Sequence, residues 1–167
     1  GHVCANNVVV AGQGPRKTAR LLDPGLAREI SLTRGLGGAL SWAPEVLRGD
    51  PIDRRADLYD LGVLLFECAT REPLFVDETG SALEGEALER AHRQEAPRKA
   101  RDLKRSVPVA VESLIEALLR KDPAERPASA NAVIRELNRT ANKRFSTETR
   151  EAHLPTLLQP RLTGRQE

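Results

Sequence analysis

The chain has 167 residues, enough for one domain with a sizeable core. At 40% hydrophobic, 30% charged and a net charge of +2, it has no strong electrostatic pull toward nucleic acid or an anionic membrane surface. No apolar run approaches the ~20 residues that span a bilayer and no secretory leader stands at the start, so no membrane contact is expected from this segment and a cytoplasmic location is.

Taken in chain order, residues 7–10 form a β-branched run that predicts a short strand. The Gly- and Pro-containing stretch "AGQGP" predicts a turn, and Thr18 to Leu22 its partner strand, so the first 22 residues read as a small hairpin. Residues 26–41, with Gly35, Gly37 and Gly38 and little periodicity, read as a surface loop. "APEVL" opens a short helix with Pro44 in its first turn. Residues 56–70 are apolar nearly all the way round, which predicts a buried helix. The charged residues 81–94 read as an exposed helix. The basic stretch "APRKARDLKRS" reads as a solvated loop or helix face, with an acidic docking partner as the alternative. Val111, Leu114, Ile115, Leu118 and Leu119 follow the i, i+3, i+4, i+7, i+8 spacing of an amphipathic helix, which "KDPAERP" ends. Ser129 can cap a last helix that buries Ala132, Val133 and Leu137. From about Thr140 the pattern fades into what reads as a flexible tail. Cys4 and Cys68 are too few for a disulfide framework and lack metal-site spacing, so two reduced thiols are expected. The chain contains no Met and starts inside a loop-strand unit, from which a fragment is expected.

Three short motifs recur in a fixed order. Asn7 stands just before the first strand, Asp23 heads "DPG" just after the second, and "APE" follows at Ala43, Pro44 and Glu45. That order resembles the large lobe of a protein kinase, with its H-R-D-L-x-x-x-N, D-F-G and A-P-E signatures. "RADLYDLGVLLFE" resembles the buried central helix of that lobe, with Asp57 at the family aspartate; "REPLF" resembles the stretch after it; "LLRKDPAERPAS" resembles the segment carrying the family arginine, here Arg126. The likeness covers residues 1–138, with 139–167 as the tail. It implies a mainly α fold: a kinase-like C-terminal lobe with a small β-hairpin, an activation segment, and helices packed around one buried helix.

The resemblance also implies roles. Asn7 and Asp23 match the amide and carboxylate that hold Mg²⁺ on the phosphates of ATP. Glu45 and Arg126 match the structural ion pair that ties the activation segment to the helical base, and Asp57 the residue that supports the catalytic loop from below. The activation segment runs from Asp23, Pro24 and Gly25 through Thr33 to Ala43, Pro44 and Glu45. The glycine-rich loop, the phosphate-contacting lysine and its glutamate partner belong to a small lobe absent from this sequence, so the fragment alone is expected to be inactive and to hold no cofactor tightly; ATP and Mg²⁺ belong to the full-length parent.

The departures from the family pattern fall at the chemistry. The catalytic aspartate position holds His2, the preceding arginine position Gly1, the phosphate-contacting lysine position Cys4, the D-F-G phenylalanine position Pro24, and the usual threonine before A-P-E Gly38. A proline fixes φ and lacks an N–H, which limits rotation of that segment. "GHVCANN" with "DPG" is similar to the pseudokinase domains of Janus-family tyrosine kinases, whereas "DPAERPAS" and the Ala/Arg-rich helices resemble bacterial serine/threonine kinases. The expected function is a degenerate kinase that acts on a protein partner or attached domain and retains nucleotide through Asn7 and Asp23. The alternatives are an active kinase with His2 as substitute base and a helical interaction domain unrelated to kinases.

Overall fold

The computed structural model describes residues 3–12, 17–22, 42–142 and 144–147. It begins with a 3-10 turn, Ala5–Asn7, followed by β1 (Val8–Ala11) and β2 (Thr18–Leu21). These strands pair antiparallel with Val8 opposite Leu21 and Ala11 opposite Thr18. Asn7 closes the turn instead of opening the strand, but its carbonyl accepts from Leu22 N–H at 2.6 Å, so the ladder reaches one step past the named strands. The hairpin is largely exposed, with Val10 and Leu22 among its open apolar side chains.

Six α-helices follow among the described residues: α1 (Pro44–Arg48), α2 (Arg54–Thr70), α3 (Gly85–Gln94), α4 (Ala100–Leu103), α5 (Val109–Leu118) and α6 (Ala130–Thr140). Pro44 stands in the first turn of α1, where its missing N–H costs nothing. Gly49 ends α1 in the left-handed region at φ 76°. Asp53 starts α2 by accepting from Arg55 N–H at 2.7 Å. α2 is the central helix: Ala56, Leu58, Tyr59, Asp60, Gly62, Val63, Phe66 and Thr70 are buried. Its C-terminal half is not enclosed all round, because Glu67 and Cys68 are exposed. Both cysteines are free thiols.

α2 contacts α5 where Gly62 lies under Leu118; a Cβ there would sit 2.9 Å from Leu118 Cβ. Leu58, Leu114, Leu118 and Val133 form one apolar cluster between α2, α5 and α6, with Leu137 packed against it. The larger cluster, including Tyr59, Phe66, Phe75, Ala91 and Ile115, lies on the side of α2 that meets α3 and α5. Ser129 Oγ caps α6 by accepting from Ala132 N–H at 3.2 Å.

Three expectations need correction. Residues 81–84 are not helical; Ala82 pairs with Val76 in an isolated bridge and α3 begins at Gly85. α3 is not wholly exposed, since Ala91 and His92 are buried. The basic stretch is not only a solvated face either: Ala100 belongs to the core, and Glu112 accepts from Arg101 N–H at 2.8 Å. Beyond α6, Phe145 is tethered by both ends of the Asn138 amide, at 2.7 and 2.8 Å. Among the described residues no helix is long and apolar enough to cross a membrane.

Candidate functional site

Asn7 is half-buried at the junction of the 3-10 turn and β1. Its N–H donates to Cys4 O at 3.0 Å, and its carbonyl takes the Leu22 N–H. Cys4 is half-buried directly ahead of the turn. The first bond closes the turn, and the second brings Leu22, at the end of the hairpin, against the turn carrying Asn7. Gly1, His2, Asp23, Pro24, Gly25, Thr33 and Gly38 lie outside the described residues.

The structure joins Glu45 and Arg126 across 81 residues of sequence. The guanidinium donates from Nη1 to Glu45 Oε1 at 2.6 Å and from Nη2 to Glu45 Oε2 at 2.7 Å. Its remaining donors go to backbone carbonyls: Nε to Arg120 at 2.7 Å, Nη1 to Arg55 at 2.9 Å and Nη2 to Lys121 at 3.2 Å. All five guanidinium N–H groups thus have an acceptor. The face of Tyr59 lies 4.9 Å from the guanidinium carbon, within cation–π range. Both charges are buried, so the planar fork and its full set of acceptors are what make this burial tolerable. Glu45 stands in the first turn of α1 beside buried Ala43 and Pro44; Arg126 follows the 3-10 turn Pro123–Glu125. Asp57 is half-buried in the first turn of α2.

A second cluster adjoins this pair. Asp60, 1% exposed, accepts the N–H of Trp42 at 2.9 Å. The Trp42 indole stacks on the His92 imidazole, with centroids 5.0 Å apart and planes 13° from parallel. His92 Nδ1 lies 3.0 Å from Tyr59 Oη. Lys121 Nζ donates to His92 O at 2.6 Å, Ala91 O at 3.2 Å and Tyr59 Oη at 3.4 Å, placing a cation on the last carbonyls of α3. Burial, then the Lys121 charge, brings the His92 pKa down to about 3. His92 is therefore neutral and shares a hydrogen bond with the Tyr59 hydroxyl at Nδ1. Burial brings Lys121 down to about 8, with Glu95 opposing and Arg126 adding to the shift. Burial pushes the Tyr59 hydroxyl up. Sequence reasoning missed Asp60, His92 and Lys121. The available signal for Asp60 was a lone carboxylate within the apolar run from Leu58 to Phe66; His92 had none.

A family model for the protein kinase domain matches residues 4–137. Serine/threonine-protein kinase A of Synechocystis is 32% identical over 141 residues, covering 80% of this chain and 26% of that protein. Serine/threonine-protein kinase PknJ of Mycobacterium tuberculosis is 33% identical over 132 residues, 75% of this chain and 22% of that protein. Serine/threonine-protein kinase PksC of Streptomyces coelicolor is 39% identical over 100 residues, 59% of this chain and 17% of that protein. The chain thus spans about a quarter or less of the length of these relatives. All three are bacterial serine/threonine kinases, whereas the Janus-type likeness rests on residues 1–7 and 23–25 alone.

Proposed function

The chain belongs to the protein kinase family, and from that premise we propose that it is part of a degenerate kinase domain with a binding or regulatory role, acting on a protein partner or an attached domain in the cytoplasm. Family membership sets aside a helical domain unrelated to kinases. The observation that carries the reading is the pattern of substitution. His2, Gly1, Cys4 and Gly38 occupy the positions that in the family hold the base, the segment-ordering arginine, the phosphate-contacting lysine and the substrate-platform threonine. Proton acceptance from a substrate hydroxyl then falls to an imidazole of different reach, with no lysine or arginine beside it.

Nucleotide retention rests on Asn7 and Asp23. An amide oxygen and a carboxylate are hard donors that suit Mg²⁺, which takes the rest of its shell from phosphate and water. The Asn7–Leu22 bond supports this reading, since it draws the strand leading to Asp23 against the turn that carries Asn7. Held by Asn7 and Asp23, the ion would supply positive charge that offsets the charge of the phosphates. The Glu45–Arg126 pair is architecture in this reading: it ties α1 to the base of the lobe and touches no nucleotide.

The test uses the full-length protein. Mg-ATP is expected to raise its melting temperature, and Asn7→Ala to abolish the rise; the absence of any shift in the parent protein removes the ligand assignment. Radiolabelled ATP is expected to leave no phosphate on the protein or on a peptide substrate. Robust transfer that disappears in His2→Ala would overturn the reading in favour of an active kinase with a histidine base.

A further inference from the structure

Trp42, the residue ahead of Ala43-Pro44-Glu45, is held by groups that the Glu45–Arg126 pair does not include. Its backbone N–H is fixed by the Asp60 carboxylate at 2.9 Å. Its ring is fixed by the His92 imidazole. His92 is in turn fixed on its other sides: Phe75 meets it edge-on at 4.9 Å, Tyr59 Oη faces Nδ1, and Lys121 grips its carbonyl.

Each part carries a cost that its partners offset. A carboxylate that is 1% exposed within an apolar helix is expensive unless hydrogen bonds stabilise it. An imidazole 2% exposed is costly to protonate, and the neutral ring presents the flat face against which the indole lies. Asp60 on the central helix and His92 on α3 therefore reach Trp42 from two elements, while Arg126 reaches Glu45 three residues further on.

We propose that Asp60 and His92 are positioning residues that lock Trp42, and with it the C-terminal end of the activation segment, onto the helical lobe without a phosphate. The proposal rests on reading residues 23–45 as that segment. Every group in the lock belongs to the unmodified chain, and the family's phosphate-gripping arginine position holds Gly1. Modification of Thr33 is accordingly expected to leave the Trp42 environment unchanged.

Trp42 is the single tryptophan of the chain, so its emission and acrylamide quenching report on this residue alone. Asp60→Leu and His92→Ala are expected to shift the emission toward that of free tryptophan and to raise quenching. Asp60→Asn, which keeps the acceptor, and His92→Phe, which keeps the stack, are expected to retain the wild-type signal. Ser129→Ala, which weakens α6 at a site outside the cluster, is expected to leave it unchanged, separating the lock from general destabilisation. Hydrogen exchange keeps the proposal falsifiable should Asp60→Leu fail to fold. The wild-type Trp42 amide is expected to be protected, and a folded Asp60 variant without the acceptor to exchange it roughly tenfold faster or more.

A Trp42 amide that exchanges as fast as an unstructured peptide overturns the proposal, as does unchanged emission in folded His92→Ala and Asp60→Leu. A Thr33→Glu variant that alters Trp42 emission overturns the phosphate independence. Mg-ATP is absent from these measurements, so nucleotide binding can fail in its own titration while the lock stands, and the reverse.

Discussion

Arg126→Met replaces a buried cation with an apolar side chain of similar length and leaves the Glu45 carboxyl group buried without its partner. The guanidinium makes two charge-assisted bonds to Glu45 and three bonds to the carbonyls of Arg55, Arg120 and Lys121. Stranding one member of a buried pair costs about 3–5 kcal/mol. The three carbonyls add to this wherever water cannot reach them, at ~1–3 kcal/mol for each that stays dry. Glu45→Leu combined with Arg126→Met removes the stranded charge but not the orphaned carbonyls. The double variant is therefore expected to be more stable than Arg126→Met alone by about 2 kcal/mol or more, yet still below wild type. Urea unfolding followed by far-ultraviolet circular dichroism measures all four corners of this cycle, provided the m-values agree. A loss under about 1 kcal/mol for Arg126→Met, or a double variant whose loss equals the sum of the two singles, would refute the reasoning.

Other expectations concern single sites. Gly62→Ala gains helix propensity but places its Cβ 2.9 Å from Leu118 Cβ, so it is expected to lower stability by about 1–2 kcal/mol in thermal unfolding. Arg71 follows α2 at φ 63°, a conformation that favours glycine; Arg71→Gly is expected to raise stability by about 0.5–1 kcal/mol, and a loss would show that its side chain matters more than its backbone. Ser129→Ala removes the cap of α6 and is expected to cost about 1 kcal/mol by urea midpoint. His92 titrates near 6.5 when unfolded and near 3 when folded, with Tyr59 and Lys121 as the titratable groups facing it. Below pH 6.5 the unfolded chain binds the proton that the folded chain refuses, so this stability is whole above 6.5 and lost as the pH falls toward 3. Between pH 7 and pH 5 the loss is about 2 kcal/mol, and His92→Phe is expected to flatten that slope in urea midpoints.

What could be read from the sequence was what depends on near neighbours. The hairpin follows from a β-branched run and a Gly-Pro turn, α2 from its apolar circumference, α5 from five apolar positions at helical spacing, and the α6 cap from one serine. The misreadings at α3 and α4 share a cause. Charged side chains dominate the composition of both stretches, and the small or amphipathic residues that enter the core, Ala91, His92 and Ala100, are few beside them. The clusters depend on partners brought together by the fold: Tyr59 and His92 are 33 residues apart, Tyr59 and Lys121 62, Glu45 and Arg126 81. No periodicity connects such pairs. For Glu45 and Arg126 the link came from family resemblance, and for Asp60 and His92 no family motif pointed the way.

The contrast between retained and altered positions has a physical basis. Glu45 and Arg126 are buried and multiply bonded, and Arg126 is joined to three carbonyls from two separate stretches, so replacing either one strands charges or carbonyls in the core. A residue whose family role is to meet a substrate hydroxyl or a phosphate carries no such penalty, because its partner is not part of the chain. On the proposed reading, the residues at positions 1, 2, 4 and 38 would forgo phosphoryl transfer while the lobe still assembles around α2. It follows that the likeness to active kinases is carried chiefly by groups that hold the lobe together. The test of transfer therefore falls on His2 and its neighbours, where the family chemistry requires most.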